Sequence, residues 1–285
     1  MEQTKPEDKT SGDYVSGTAS RRGKSGENVS RNEYYDMNNK HRGKALIFNH
    51  DEFESCLELK PRSGSRKDCA SLQAVLQHLG FNVETFHNLY YSDIMKQMKH
   101  TAKQNHSKDD CIAVIVLSHG DSGVVYAKDT FYNLEKMWGH LSENNCPTLA
   151  GKPKLFFIQA CQGEDFDDGI TLSRHIETDG WYEPHMYSNE PNILVALATT
   201  PGYISWRRPT IGTPFIQALC KELYSASELD ILSILTSVCH QVAVDYESDT
   251  SEPKKQVPCI MSTLTRRLVF TKKPDTMTSS LWPCI

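Results

Sequence analysis

Two residues capable of covalent chemistry stand at the ends of apolar runs that are typical of buried strands. The run 111–117 leads into a Ser-His-Gly sequence that contains His119, and the run 155–160 leads directly into Cys161. Functional sites of α/β proteins are built at the carboxyl ends of their strands. If these two strands are parallel neighbours, the imidazole and the thiol lie side by side. The spacing therefore predicts a cysteine nucleophile with a histidine as its proton-transfer partner.

A cysteine nucleophile attacks a carbonyl carbon, and the imidazole then protonates the leaving amine. Glycines follow both residues closely and leave backbone N–H groups free to face a developing oxyanion, so we assign this role to the N–H groups of Gly120 and Cys161. From position alone a second interpretation stays open, because a cysteine at a strand end is often a buried small hydrophobe and a lone histidine often has only a structural role.

The elements around these residues alternate between short apolar runs and amphipathic segments. Continuous apolar strands are typical of a sheet covered by helices on both faces, so the sequence predicts an α/β fold. The predicted strands are 45–48, 81–86, 111–117, 155–160, 193–198, 258–264 and 267–270. The predicted helices are 65–79, a segment that starts at Ser92, 134–141, 213–225 and 229–247, with Ser65 and Ser92 as expected N-caps.

Composition excludes several classes of protein. The 285 residues are 38% hydrophobic and 24% charged, which is ordinary for a globular chain. The longest apolar run has about seven residues, whereas a membrane span needs about twenty, so we expect no membrane segment. A net charge of −5 gives no basic surface for nucleic acid. No cysteine or histidine has zinc-site spacing, so we expect no metal and no cofactor.

The nine cysteines indicate a reducing compartment. Their number is odd, the chain is long, and its first residues are polar and charged rather than a signal peptide. We therefore expect free thiols and a cytoplasmic protein.

The segment Gln159-Ala160-Cys161-Gln162-Gly163 resembles the nucleophile signature of the caspase family. In that family the catalytic histidine lies about 50 residues upstream, and here the spacing from His119 to Cys161 is 42 (161 minus 119). Further segments resemble the family in the expected order: Ser118-His119-Gly120, Gly151-Lys152-Pro153-Lys154, Pro201-Gly202-Tyr203, Ser205-Trp206-Arg207, Phe215-Ile216-Gln217 and Lys255-Gln256-Val257-Pro258. The resemblance covers roughly residues 40–271 and is to an executioner-type (effector) caspase of an invertebrate.

The resemblance implies the caspase fold, in which a six-stranded, mostly parallel sheet is flanked by helices, and it implies cleavage of proteins after aspartate. A substrate carboxylate needs cations held in a pocket, and a planar guanidinium is its best partner. Arg62 and Arg207 match the two pocket arginines of the family, and Gln159 stands between them as a neutral donor. Arg208 has no such match and is expected to be a surface charge.

The segment after Pro201 matches the wall of the family's substrate groove. The residues expected there are Tyr203, Ile204, Ser205 and Trp206. Ile204 stands where an aromatic residue is common, and Pro214 replaces a tryptophan, so the preference of the distal subsites is open. Gln162 stands where many relatives carry arginine, a variant that the family tolerates.

The chain divides into four segments by composition and by resemblance. These are a short flexible prodomain arm (1–40), a large subunit with the catalytic histidine and cysteine (41–179), a small subunit (180–275) and a loose C-terminal tail (276–285). The arm has too few apolar residues to fold alone and is too short for the adaptor-binding domain of an initiator caspase. We therefore expect a zymogen that another protease activates.

An acidic stretch after Gly163 lies where the family separates its two subunits. It contains Ile176-Glu177-Thr178-Asp179, which resembles a caspase recognition tetrapeptide, followed by Gly180. We predict activation by an upstream initiator caspase that cuts after Asp179. Rival sites without such a tetrapeptide are Asp165, Asp167 and Asp168, and Asp8 and Asp13 are weak candidates for a cut in the arm.

The resemblance also implies partners. The apolar segment 257–264 resembles the strand by which caspases pair across a two-fold axis, so we expect a homodimer of cleaved protomers. Substrates would be proteins with an accessible aspartate, and inhibitor-of-apoptosis proteins are possible regulators.

Two other functions were weighed. A catalytically silent homologue that binds and regulates an active caspase should lack Cys161, His119 or a pocket arginine, and all of these are present. A relative with basic or asparaginyl specificity should not carry an arginine pair in its pocket. A peptide-substrate panel distinguishes the three.

Overall fold

The computed structural model describes residues 33–163, 165, 190–208, 210–225, 228–247 and 254–273. Its strands are β1 (Lys44–Asn49), β2 (Asn82–His87), β3 (Ile112–Leu117), β4 (Gly120–Asp121), β5 (Val124–Tyr126), β6 (Phe131–Asn133), β7 (Lys154–Gln159), β8 (Ile193–Leu197) and β9 (Cys259–Ser262). The main sheet has the order β2-β1-β3-β7-β8-β9. Only β9 runs antiparallel to its neighbour, so the six-stranded, mostly parallel sheet expected from the sequence is confirmed.

Helices cover both faces of this sheet. They are α1 (Ser65–His78), α2 (Tyr91–Ala102), α3 (Glu135–Gly139), α4 (Pro214–Ser225) and α5 (Ile231–His240). Along β1 the side chains alternate between two cores. Ala45 and Ile47 pack with buried residues of α1, α4 and α5. Leu46 and Phe48 pack with those of α2 and α3. Apolar side chains point into both cores from each central strand, and this explains why the strands read as nearly continuous apolar runs.

A second, three-stranded sheet made of β4, β5 and β6 begins directly after His119. Sequence periodicity does not reveal it, because its strands are only two or three residues long. The N–H of Tyr126 donates to the carbonyl of His119 at 3.0 Å. This small sheet therefore anchors the chain that leaves β3.

The ends of several elements differ from the sequence prediction. Helix α1 begins at Ser65 itself after the N-cap Gly64, and α2 begins at Tyr91, so neither Ser65 nor Ser92 is an N-cap. The Ser65 hydroxyl is used in a tertiary contact instead, where it accepts a hydrogen bond from Arg62. The predicted helix 229–247 ends at His240 and continues as a π-helical turn over Gln241–Asp245.

The predicted strand 267–270 is absent from the described residues as a regular element. Only isolated bridges occur there, from Arg267 to Tyr34 and from Val269 to Asp230. The N–H of Tyr35 donates to the carbonyl of Arg267 at 3.0 Å. Residues 267–270 therefore contact the N-terminal segment rather than the edge of the sheet.

Residues 33–40, which were expected to belong to the flexible arm, are part of the folded unit. Tyr35 and Met37 are buried, with 6% and 3% of their surface exposed. The Tyr35 hydroxyl donates to Oδ1 of Asn192 at 2.7 Å and accepts from the N–H of Thr265 at 2.9 Å. Residues 1–32 and the expected tail 276–285 lie outside the described residues.

A buried charge cluster ties the same N-terminal segment to the end of the described chain. The carboxylate of Asp110 accepts from Arg42 at 2.9 Å and from Lys273 at 2.6 Å. Nζ of Lys273 also donates to the carbonyls of Met37 and Asn39. Breaking such a buried network from one side costs about 3–5 kcal/mol.

In the described part of the chain, none of the helices is long and apolar enough to cross a membrane. The described residues also contain no group of three or more His, Cys, Asp or Glu residues that could hold a metal ion.

Candidate active site

The parallel pairing of β3 with β7 brings His119 and Cys161 to one edge of the sheet. The last pair of the register is Leu117 with Gln159, and each candidate follows its strand two residues later. The N–H of Ser118 donates to the carbonyl of Gln159 at 3.0 Å, which extends the pairing beyond the strands. The two residues that the sequence selected therefore leave the sheet next to one another.

The imidazole of His119 is oriented by two contacts. Nε2 lies 2.8 Å from the carbonyl oxygen of Lys60, and the ring packs on Phe53 with centroids 5.0 Å apart. Because a carbonyl oxygen can only accept, Nε2 carries the proton of the neutral imidazole and Nδ1 carries the lone pair. Burial lowers the pKa of His119, and the nearby cations Arg62 and Arg207 lower it further. The hydrogen bond to the Lys60 carbonyl acts in the opposite direction and raises this pKa.

The thiol of Cys161 contacts Ser205. The Ser205 N–H donates to Sγ at 3.4 Å, and Sγ lies 3.8 Å from the Ser205 carbonyl and 3.7 Å from its hydroxyl. Cys161 is half-buried, whereas Cys69, Cys111, Cys146 and Cys220 are buried. None of the described cysteines forms a disulfide.

Gly120 must be a glycine because the chain that carries Cys161 passes very close to it. A Cβ at position 120 would lie 2.7 Å from the carbonyl oxygen of Cys161 and 2.8 Å from both the Ala160 Cβ and the Val124 carbonyl oxygen. Atoms at these distances overlap, so any larger residue would move the end of β7 and the nucleophile with it. The residue that we expected as an oxyanion donor is thus also a steric requirement.

Two guanidinium groups lie close enough to the thiol to interact with it electrostatically. Arg62 is 3% exposed and donates from Nη1 to the His50 carbonyl at 3.1 Å and to the Ser65 hydroxyl at 2.8 Å. Arg207 donates to the Ser63 carbonyl at 2.7 Å. Among the described residues, no ion pair with a carboxylate involves either arginine.

The charges of these arginines interact. Burial lowers the pKa of Arg62 to about 9, and repulsion from Arg207 contributes to the shift. Burial also lowers the pKa of Arg207. Both groups remain cations at neutral pH. The arrangement is suited to an anionic group that would enter between them.

Gln159 lies at the end of β7 and is 1% exposed. Its Nε2 donates to the Ser205 hydroxyl at 3.0 Å, and its Oε1 is buried without a partner in the described part of the chain. A hydroxyl can accept or donate, so the opposite orientation of the amide keeps the bond to Ser205 and places the N–H₂ group at the buried position that lacks a partner. In that orientation Gln159 is the neutral donor expected from the sequence.

The expected groove wall is held to the Cys161 loop by backbone hydrogen bonds. The N–H of Gln162 donates to the Tyr203 carbonyl at 2.9 Å, and the N–H of Ile204 donates to the Asp165 carbonyl at 3.0 Å. Tyr203 is 37% exposed, and Trp206 is half-buried. The N–H of Trp206 donates to Oε1 of the buried Gln256 at 2.8 Å.

Pro214, where the sequence departs from the family pattern, is the first residue of α4. Proline suits this position, because its fixed φ fits the helix and its missing N–H would have no partner in the helix. The substitution therefore supports the start of α4.

Sequence reasoning missed several residues that shape this site. These are Phe53, Lys60, Asp68 and Thr213. Lys60 contributes its backbone carbonyl, which a residue of any type could supply. Asp68 lies in α1, and its neighbours in the sequence do not distinguish it from a charged residue on the surface of a helix. Gln256 stood in a matched motif, but nothing in the sequence indicated its partner.

The arginines lead to a prediction about the imidazole. In a Cys161→Ala background the pKa of His119 should lie below the usual value of about 6.5, because burial and two cations disfavour the imidazolium. Adding Arg207→Ala removes one cation, so the pKa of His119 should rise. NMR titration of the ring protons measures both values. Arg66→Ala is the control, because this exposed arginine pairs with Asp51, and it should leave the pKa unchanged. A His119 pKa that does not respond to Arg207→Ala would contradict the electrostatic coupling.

The chain is similar to known proteins over most of its length. The caspase domain (Peptidase C14) matches residues 42–269. Caspase-1 of Spodoptera frugiperda is 51% identical over 255 residues, which cover 86% of this chain and 84% of the relative. Caspase drICE of Drosophila melanogaster is 49% identical over 249 residues, or 84% of this chain and 73% of the relative.

The crystal structure of Caspase-1 from Spodoptera frugiperda is similar, with a TM-score of 0.78 and 49% sequence identity over 86% of this chain and 96% of that chain. The resemblance found in the sequence is thus confirmed in sequence and in fold, and so is its similarity to invertebrate members. The chain belongs to the caspase family, the aspartate-specific cysteine endopeptidases, and it is an executioner-type member.

Proposed function

We propose that Cys161 is the nucleophile and His119 the proton-transfer residue of this endopeptidase. The observation that carries the proposal is the β3–β7 register, which brings both residues to one edge of the sheet. The Cys161 sulfur attacks the carbonyl carbon of the scissile peptide, and the backbone N–H groups of Gly120 and Cys161 stabilise the oxyanion. His119 transfers the thiol proton to the leaving amine, and water then hydrolyses the thioester. No step needs a cofactor.

Arg62, Gln159 and Arg207 bind the side chain of the substrate aspartate in this proposal. Within the described residues the two guanidinium groups donate to neutral acceptors, the carbonyls of His50 and Ser63 and the Ser65 hydroxyl, so they can form charge-assisted bonds to an entering carboxylate. Tyr203, Ser205 and Trp206 line the groove for the preceding residues of the substrate. A pocket with two cations does not suit a basic residue. No observation favours the catalytically silent homologue.

Substitution of the nucleophile or of a pocket arginine should change the rate of peptide cleavage. Cys161→Ala should fold and show no turnover of a peptide with aspartate before the cut. Arg207→Ala should lower kcat/KM on the order of a thousandfold, because the carboxylate of the bound aspartate then lacks one buried partner. Arg66→Ala, a change of an exposed arginine, is the matched control and should stay within about twofold. A loss below tenfold in Arg207→Ala would remove Arg207 from the pocket.

We also propose that the enzyme is made as a zymogen with a large subunit that ends at Asp179 and a small subunit from 180 to 275. Asp179 lies outside the described residues, so the proposal rests on the tetrapeptide Ile176–Asp179 and on its place between the two halves of the sheet. New chain ends would allow the loop around Ser205 to rearrange for substrate, a conformational step of the kind that completes many active sites.

Cleavage after Asp179 can be tested directly. Asp179→Ala should block conversion by an upstream initiator caspase and keep activity low. Asp168→Ala, a change in the same acidic stretch, should process normally. Intact mass spectrometry and peptide turnover report both outcomes. Normal processing of Asp179→Ala with a cut after Asp168 would show that Asp179 is not the activation site.

A homodimer of cleaved protomers is the assembly that we propose. Strand β9 pairs with β8 along one side only, and its residues Cys259, Ile260 and Met261 are only half-buried in the protomer. A half-buried apolar edge strand favours association with another strand. Caspases that cut the linker and inhibitor-of-apoptosis proteins are proposed partners from the family resemblance. We place the enzyme in the cytoplasm, where the free thiols of the described residues would stay reduced.

Sedimentation of the processed enzyme tests the assembly. We expect a dimer at micromolar concentration for the unaltered chain, and a shift towards monomer for Met261→Glu, which places a charge in the proposed interface. Leu232→Glu changes a residue of α5 that is 41% exposed and should remain dimeric. A fully active monomer of the unaltered chain would refute the proposal.

A further inference from the structure

A buried carboxylate that the mechanism does not use lies behind the two arginines. Asp68, on α1, is 0% exposed. Its oxygens accept two contacts from the N–H of Thr213, at 3.0 and 3.1 Å, and one from Nε2 of Gln217 at 2.7 Å. Thr213 precedes α4 and Gln217 lies in its first turn. All three bonds therefore join the proposed large subunit to the proposed small one.

The chain around Asp68 is shaped to admit this carboxylate. Gly212 has a φ of +96°, and a Cβ there would lie 2.2 Å from Oδ1 of Asp68 and 2.7 Å from Nε2 of Gln217. Only glycine adopts this φ readily and also leaves the space free. Position 212 thus requires glycine for two reasons, the left-handed backbone and the close approach of Asp68 and Gln217.

A tight turn connects this contact to the substrate pocket. The N–H of Arg208 donates to the Gly212 carbonyl at 2.9 Å, and the N–H of Gly212 donates back to the Arg208 carbonyl at 2.9 Å. Arg207 is the residue immediately before this closed turn. Since Asp68 holds one end of the turn, it restricts where the Arg207 backbone can lie.

The charge of Asp68 faces both pocket arginines. Attraction to Asp68 favours the charged forms of Arg62 and Arg207. No direct ion pair joins Asp68 to either of them in the described residues. Burial raises the pKa of Asp68 to about 6, while its hydrogen bonds lower it, so the group is an anion at pH 7.5. It balances part of the positive charge without an ion pair to either guanidinium group in the described residues.

We propose that Asp68 is a positioning residue that holds Arg207 in the pocket from across the subunit boundary, through Thr213 and the paired backbones of Arg208 and Gly212. The inference rests on the proposed role of Arg207 in binding the substrate aspartate. Asp68 touches neither the substrate nor the reacting atoms. Substitution of Asp68 should therefore raise KM for a substrate with aspartate far more than it changes the rate at which the Cys161 thiol reacts.

The test compares two reactions of the processed enzyme in Asp68→Asn. The variant keeps the shape of the side chain, removes its charge and turns one acceptor into a donor that faces Thr213 or Gln217. For a peptide with aspartate before the cut, KM should rise at least about tenfold, with a smaller change in kcat. Alkylation of Cys161 by iodoacetamide, which needs no pocket cation, should stay within about twofold of the unaltered rate.

A second variant reaches the same contact from the other side. Gly212→Ala should give the same pattern, because its Cβ displaces Asp68 and Gln217. The control Asp93→Asn removes an exposed carboxylate that pairs with Lys96, and it should change neither reaction. The variants thus remain informative if one of them folds poorly.

Three results would overturn the inference. An unchanged KM in both Asp68→Asn and Gly212→Ala, with Arg207→Ala strongly impaired, would exclude Asp68 and leave the pocket intact. If the variants lower the alkylation rate and kcat/KM by the same factor and also lower the thermal midpoint, the role of Asp68 is merely structural. An unimpaired Arg207→Ala would refute the pocket itself and, with it, the role of Asp68.

Discussion

The burial of two arginine side chains in one pocket is the constraint that organises this site. Burial lowers the pKa of Arg62, which is almost fully buried, and the charge of Arg207 lowers it further. Burying a cation without a counter-ion is costly, and placing two together is more so. The protein solves this with neutral acceptors, the carbonyls of His50 and Ser63, rather than with a paired carboxylate. An aspartate that enters the pocket relieves the repulsion, which gives the proposed specificity a physical origin.

The catalytic pair and the pocket depend on different parts of the chain. His119 and Cys161 follow two adjacent strands of the rigid sheet. Arg207, by contrast, lies on a loop that backbone bonds from Gln162 and the side chain of Gln256 hold in place. Strands β7 and β8 lie on either side of the linker in the sequence and pair with each other in the sheet. After the proposed cut in the linker, this pairing would still hold the two chains together.

The end of the sheet opposite the site contributes a second connection between the two halves. Asp110, buried with Arg42 and Lys273, joins the start of the folded unit to its last described residues. Tyr35 adds hydrogen bonds to Asn192 and Thr265. These contacts are independent of the linker. They explain why residues 33–40 are ordered although their composition resembles that of an arm.

What could be read from the sequence was local. Continuous apolar runs identified the strands of the main sheet, because a strand buried on both faces needs apolar residues at every position. Short motifs identified His119, Cys161 and the two arginines, because the chemistry itself demands those residue types. The N-cap assignments of Ser65 and Ser92 were wrong, since capping preference is weak and the Ser65 hydroxyl binds Arg62 instead. The strands of the small sheet have only two or three residues, too few to show an alternation of apolar and polar side chains.

The tertiary structure alone decided how distant residues meet. Asp68 lies 145 residues from Thr213, and Lys60 lies 59 residues from His119. A helix carboxylate and a backbone carbonyl carry no sign of such partners in their local sequence. The sequence by itself determined which groups could attack a peptide and which could bind an aspartate. The orientation and protonation of these groups depend on burial and on charges from remote segments. Both the burial and the proximity of those charges arise only when the chain folds.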